Sequence, residues 1–326
     1  MDAPHKDLIK LIDLCRFDEH FKSLVRPMFS WRDWVVEHGL PEQTLRLLDT
    51  LQNDYSEVFE RHWGTPNSYC LVSPFDLARW LCSKASEIGA ENALQLFLDF
   101  IKNPTAPLYV ISLIEGVIPA QTYCFDENTN LCSFEGLPEG VKERINFYWQ
   151  RECKDFHGEK PAFIVTKIAR NVFDCRDERE AASVEGNQLF SITQNHFLMS
   201  YFLSLYTKTF AACIIKEWCF FDETTPCSGL IDNNETSFLQ VVRPFYSETL
   251  QLSDRDSMQT LIKKFSQLKP AYQNSIELAL KRKTSAMNAH DNVDSAIDLG
   301  MCAESILTKS ESSEQLSLQV RLLGFR

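Results

Sequence analysis

The residue whose type and place most invite chemistry is Glu304. In NVDSAIDLGMCAESIL, residues 292–307, steps of about 100° per residue gather Val293, Ala296, Ile297, Gly300, Ala303 and Leu307 on one helical face. Asp294, Asp298 and Ser305 gather on the other, and Glu304 falls inside the apolar face. A carboxylate there has to be paired, hydrogen-bonded or neutralised, because burying it bare is costly. It either ties down a neighbouring helix through an Arg or a backbone N–H, or orders a catalytic or RNA-contacting group beside it. Gly300 on the same face lets another backbone come close, at about 1 kcal/mol of helix propensity relative to Ala.

Charge is the second concentration of chemistry. Residues 255–283 hold Arg255, Lys263, Lys264, Lys269, Lys281, Arg282 and Lys283 against Asp256 and Glu277, in a chain whose net charge is −12. One reading is a phosphate-facing side; the commoner one is a pair of solvated helix faces. Trp31, Trp34, Phe147, Tyr148 and Trp149 could stack on bases, but only Arg32 and Arg144 lie near them, and core packing explains them better. Cys213, Cys219 and Cys227 are the nearest thing to a thiol cluster and are too loosely spaced to argue for metal. No Walker motif, GxSxG or HExxH is present, and 11 glycines leave little material for a cofactor cradle. No cofactor or metal is expected.

The elements that must position these residues follow from pattern. Length (326 residues), 44% hydrophobic content and 24% charge fit a soluble globular chain with two or three domains. The acidic balance argues against non-specific binding of nucleic acid by the whole surface. Eleven cysteines without CxxC read as reduced thiols, and the charged start MDAPHKDLIKLIDLC does not read as a secretory signal, so a cytoplasmic location is expected. The apolar run 197–221 is interrupted by Lys208, Lys216 and Glu217, and is expected to be a buried helix and not a membrane span.

Three regions are expected. Residues 1–106 read as helical from three- and four-residue apolar spacing, with Ser73-Pro74 opening one helix and Asn103-Pro104 closing the next. Residues 107–175 read as a small β-containing unit, from PLYVISLIEGVIPAQTYCF through the turn cluster DENTN to PAFIVTKIARNVF. Residues 174–188 read as a polar linker, 189–221 as a long helix, 222–237 as a loop, and the chain from about 254 as helical again. The fold class is α+β, mostly helical, with a helical region over 187–326.

The runs LALKRKTSAM, NVDSAIDLGMCAESILTKS and EQLSLQVRLLG resemble the Apea-like HEPN family. There, an "AL.R...A" helix leads to an aspartate-bearing helix with an "aI.LE.LL" signature, then a polar loop and an "ELS..L..R.A.LL" helix. The aspartate matches Asp294, the glutamate Glu304 and the later arginine Arg321. The likeness covers residues 277–324, and LIEGV with GLPEG extends it loosely toward 107. The resemblance implies a partial HEPN helical bundle at about 254–326. HEPN proteins are similar to one another in being dimerising all-α bundles, many of them metal-independent ribonucleases of toxin, toxin–antitoxin, CRISPR-linked and anti-phage defence systems. The family's motif is R-x(4–6)-H on a late helix, its Arg stabilising phosphate charge and its His acting as acid or base at the 2′-OH.

The sequence departs from the family there. No histidine follows Glu304, so no catalytic residue carries over. The spacing occurs instead in Arg32-DWVVE-His38 and Arg151-ECKDF-His157, both outside the matched region, with Arg32 and His38 the better displaced candidates. Their structural alternative is a helix end, with His38 near the dipole and Gly39 as cap. In the tail SSEQLSLQVRLLGFR, Leu316, Leu318, Val320 and Leu322 alternate as a strand would, while Ser312 with Gln315 makes a capping box, and the resemblance implies the helix. It resembles the penultimate stretch of a domain, so a truncated or split gene is expected. Two functions follow. One is an Apea-like HEPN protein of an RNA-targeting defence or toxin-type system that lacks its own nuclease motif. The other is a non-catalytic binding or dimerisation module that recognises a partner through its N-terminal region. Lys263, Lys264, Lys281, Arg282 and Lys283 would form the RNA-facing patch. The partners implied are RNA and a second copy, or a second polypeptide completing the bundle.

Overall fold

The computed structural model describes residues 3–19, 21, 39–65, 68–152, 162–174, 179–207, 211–228, 234–237, 248–250, 252–289 and 291–307. Along the chain run α1 (Ala3–Cys15), α2 (Glu42–Asp54), α3 (Ser56–Phe59), β1 (His62–Thr65), β2 (Ser68–Leu71), α4 (Pro74–Ile88) and α5 (Ala90–Lys102). Next come β3 (Thr105–Glu115), β4 (Val117–Pro119), β5 (Tyr123–Cys124), β6 (Thr129–Ser133), a short 3-10 turn (Phe134–Gly136), α6 (Glu139–Glu152), β7 (Ala162–Asn171) and β8 (Phe173–Asp174). The remainder is α7 (Arg179–Leu203), β9 (Cys213–Phe221), β10 (Asn234–Ser237), β11 (Glu248–Leu250), α8 (Leu252–Ser266), α9 (Pro270–Asn288) and α10 (Asn292–Leu307). The chain is therefore α+β.

It forms two units. Unit one takes residues 1–109, 167–189 and 219–234; unit two takes 110–166, 190–218 and 235–326. These divisions do not follow the three consecutive regions read from the sequence. Strands β3, β7 and β9 contribute residues to both, in a six-stranded sheet of order β10-β9-β3-β7-β6-β5.

Unit one is built on α1, α2, α4 and α5. Thr44, Leu47, Leu48 and Leu51 are buried on α2 at the spacing of one helical face. They meet a core that includes Leu8, Ile12, Phe75, Leu81 and Phe97. Helix α4 starts as the Ser73-Pro74 signal predicts. The Ser73 hydroxyl accepts from the Asp76 N–H at 3.2 Å and the Asp76 carboxylate accepts from the Ser73 N–H at 3.0 Å, a reciprocal box with Pro74 in the first turn. Gly89 (φ +87°) ends α4 and begins α5, and α5 closes at Asn103, just before Pro104. Ser73→Ala should lower the stability of this unit by about 1 kcal/mol. Urea denaturation checks it, and an unchanged midpoint would mean that the box contributes nothing. The helical reading of 1–106 missed one element: β1 and β2 pair as an antiparallel hairpin, and β8 joins β1 on its other side.

In unit two, β5, β6 and β7 pair antiparallel in the register Tyr123↔Leu131 and Leu131↔Ile164, and β11 pairs parallel to β4. Ile114, Val117, Tyr123, Leu131, Ile164, Leu203, Ile214 and Met258 form one buried cluster. The expected helix over 189–221 is two elements. Helix α7 ends at Leu203, and CIIKEWCFF is strand β9, buried along almost its whole length. A short apolar run has no helical periodicity of its own, and the β-branched and aromatic residues of 213–221 suit a central strand. The expected linker 174–188 instead contains the start of α7 at Arg179. Among the described residues no helix is long and apolar enough to cross a membrane.

Candidate functional site

Helices α9 and α10 carry most of the residues singled out from the sequence. They form an antiparallel pair joined by a short connection. The Ser295 hydroxyl donates to the Ala286 carbonyl at 3.0 Å, and Arg282 Nη1 lies 3.0 Å from Asp298 Oδ1. Those contacts turn the polar side of α10 toward α9 and the apolar side outward. Val293 is 62% and Ile297 56% exposed, with Met301 and Ile306 also exposed, whereas Asp298 and Ser295 are half-buried. The sequence expectation of a buried apolar face is thus reversed, because a charge-assisted bond and a hydroxyl–carbonyl bond anchor the opposite face. Asp294 is exposed and Glu304 half-buried.

The basic residues divide into two groups. Lys263, Lys264, Lys269 and Lys281 are exposed. Arg282 is engaged with Asp298. Lys283 Nζ donates to the Ser204 carbonyl at 2.6 Å and lies 3.1 Å from Met287 Sδ, and burial lowers its pKa. Arg282 and Lys283 are therefore each engaged within unit two, although the Arg282 side chain stays 36% exposed. Arg32, His38, His157 and Arg321 lie outside the described residues, as do Trp31 and Trp34, and the side chains of Arg151, Arg255 and Phe147–Trp149 are not among those described.

Sequence reasoning missed a buried polar cluster among the described residues, in the interior of unit two. Ser112 on β3, Thr129 on β6, Thr166 on β7, Thr193 and His196 on α7, and Glu217 on β9 form one hydrogen-bonded chain. Ser112 Oγ lies 2.7 Å from His196 Nδ1 and 3.2 Å from Glu217 Oε1. Thr166 Oγ1 lies 2.7 Å from His196 Nε2 and 3.0 Å from Thr129 Oγ1, and the Thr193 hydroxyl donates to Glu217 Oε2 at 2.8 Å. Burial pushes Glu217 up to about 6 and holds His196 down at about 3. Glu217 Oε1 is 3.8 Å from His196 Nδ1, within ion-pair reach. Both shifts nonetheless favour neutral groups, because desolvation outweighs a contact mediated by the Ser112 hydroxyl.

Hydrogen bookkeeping fixes the direction of the chain. An ionised Glu217 only accepts, so Ser112 donates to it and accepts from His196 Nδ1–H. His196 Nε2 then accepts from Thr166, which accepts from Thr129. Every member is satisfied. A serine, a histidine and a carboxylate in contact invite comparison with a hydrolytic triad, but His196 and Ser112 are fully enclosed, and a substrate has no path to the hydroxyl. The cluster joins β3, β6, β7, β9 and α7, and its role is to fasten them. The only hint in sequence was a histidine and a glutamate inside apolar runs.

Unit one holds an open cleft of about 480 Å³ lined in part by Asp99, Phe100, Asn103, Thr105 and Thr224. Its polar groups are engaged locally: Asp99 accepts from Gln95, and the Thr105 hydroxyl bonds Asn103 and Asn171. Among the described residues no group of three or more His, Cys, Asp or Glu could hold a metal ion.

No protein family, curated protein or solved structure matches the chain.

Proposed function

We propose that this chain is an Apea-like HEPN protein of an RNA-targeting defence or toxin-type system, in which the helices around α9 and α10 act as a binding unit and not as the nuclease. The observation that carries the reading is the coincidence of the described part of the resembling run 277–324 with an antiparallel helix pair whose apolar stripe, Val293, Ile297 and Met301, is exposed among the described residues. A helical unit that fastens its polar side inward and leaves an apolar side exposed among the described residues is suited to pairing with a further helix or chain.

The test is incubation of the purified full chain with single-stranded and hairpin RNA, followed by gels and by binding measurements. The expected result is RNA that is bound and stays intact. Cleavage that disappears in Arg32→Ala or His38→Ala would overturn the non-catalytic reading and place the motif at residues 32–38. Failure to bind either RNA would remove the link to an RNA-targeting system.

A further inference from the structure

Resting on that reading, the geometry points to the corner between α8 and α9 as a binding site for single-stranded RNA, with Lys263, Lys264 and Lys269 on the phosphates and Tyr272 as a stacking platform. The sequence-level patch of five basic residues loses Arg282 and Lys283 to internal bonds. What remains exposed is concentrated at this corner. Lys263 and Lys264 occupy the last turn of α8, where the helix dipole favours cations. Lys269 immediately precedes α9. Tyr272 stands 59% exposed in the first turn of α9.

The corner is closed by hydrogen bonds and a ring contact. The Gln267 N–H donates to the Lys264 carbonyl at 3.2 Å, the Leu268 N–H to Phe265 at 3.0 Å, and the Tyr272 N–H to Lys269 at 2.9 Å. The Gln273 side chain reaches back to the Phe265 and Ser266 carbonyls at 3.1 and 3.3 Å, closing the end of α8. Phe265 packs edge-on against Phe202, ring centroids 5.4 Å apart, which anchors the corner to the body of unit two. The cations are thus carried on a hydrogen-bonded backbone.

Charge complementarity selects the ligand. No acidic residue occurs between Asp256 and Glu277. In a chain of net charge −12 this run of the sequence is a local concentration of positive charge. An exposed phenol with few rotamers, three residues after Lys269 in the first turn of α9, offers a face to an unpaired base while the exposed lysines of the same turn region offer charge to its phosphates. A duplex would keep its bases stacked away from Tyr272.

The probe is a fluorescein-labelled oligouridylate of about twelve nucleotides, titrated by anisotropy with the full chain across a salt series. Three lysine–phosphate contacts on a single strand predict a log–log salt slope of about −2. The triple variant Lys263→Glu, Lys264→Glu, Lys269→Glu should lose at least about tenfold in affinity at low salt. Tyr272→Ala should weaken binding by about 5- to 100-fold while leaving the salt slope unchanged. All four side chains are exposed, so circular dichroism should report unaltered folding. Equal binding by wild type and the triple variant would overturn the corner as the site and leave the RNA reading standing. Absence of binding by the wild type would sink both. A Tyr272→Ala variant that binds as the wild type does, or binding to anionic phosphatidylserine vesicles but not to the oligonucleotide, would overturn a single-stranded RNA site here.

Discussion

Replacing Gly116 with alanine should destabilise the protein by about 2–5 kcal/mol, the sum of backbone strain and a steric clash. Gly116 connects β3 to β4 with φ +91°, a conformation that side chains rarely adopt. A Cβ built there would stand 2.6 Å from the Ala211 carbonyl oxygen and 3.3 Å from the Ala212 Cα, both backbone atoms that cannot rotate away. Ala211 and Ala212 are themselves buried at the entry to β9, so relief of the clash requires the strand to shift. Gly39 provides the control. Its φ is +61°, with no atom of the described residues within 4 Å of the added atom, so Gly39→Ala should cost only about 1–2 kcal/mol from the left-handed backbone. Chemical denaturation of both variants separates the two contributions. Equal losses would show that the approach of residues 211–212 to Gly116 does not constrain the fold.

That close approach was not legible in the sequence, where LIEGV reads only as a strand with a glycine. Other features were legible because their causes are local. Ser73-Pro74 signals a helix start through groups within three residues of each other, Asn103-Pro104 signals a stop, and DENTN marks a turn; each is formed. The β3 and β7 strands follow from runs of β-branched and aromatic residues. The failures share a cause, which is that the deciding partner is distant. Residues 213–221 become a strand because neighbouring strands take up their backbone groups, and nothing in CIIKEWCFF announces those neighbours. The orientation of α10 was reversed for the same reason. A wheel drawn on residues 292–307 places the apolar stripe inward by default, but Asp298 has Arg282 sixteen residues earlier as its partner. A single charge-assisted bond with a hydroxyl contact beside it overrides the periodicity. Of the candidate site, the helices were readable and the polar cluster was not. His196 and Glu217 sit in apolar runs where their partners, Ser112 and Thr166, are among many unremarkable hydroxyls.

The same cluster makes pH dependence the second large effect. Glu217 is raised from 4.5 to about 6 and His196 lowered from 6.5 to about 3. Between pH 4.5 and 6 the folded protein holds the Glu217 proton more firmly than the unfolded chain does, so this group's contribution falls as pH rises through that window. Above it, burying the charge costs about 2 kcal/mol. His196 acts in the opposite sense. Below pH 6.5 the unfolded chain takes up a proton that the folded one refuses until about 3, so stability is lost as pH falls from 6.5 toward 3. Between 4.5 and 6 the two slopes cancel, and the cluster contributes little net pH dependence there. Glu217→Gln removes one slope and leaves the other. The amide keeps the shape and donates to Ser112, which then donates to His196 Nδ1, so the chain reverses and stays satisfied. The variant should grow more stable as pH rises through 4.5–6 while the wild type does not, and should exceed the wild type by up to about 2 kcal/mol at neutral pH. Urea titrations from pH 4 to 7 read the difference directly. Parallel profiles for the two proteins would mean that Glu217 ionises without cost in the folded state, and that the enclosed cluster is not its environment in solution.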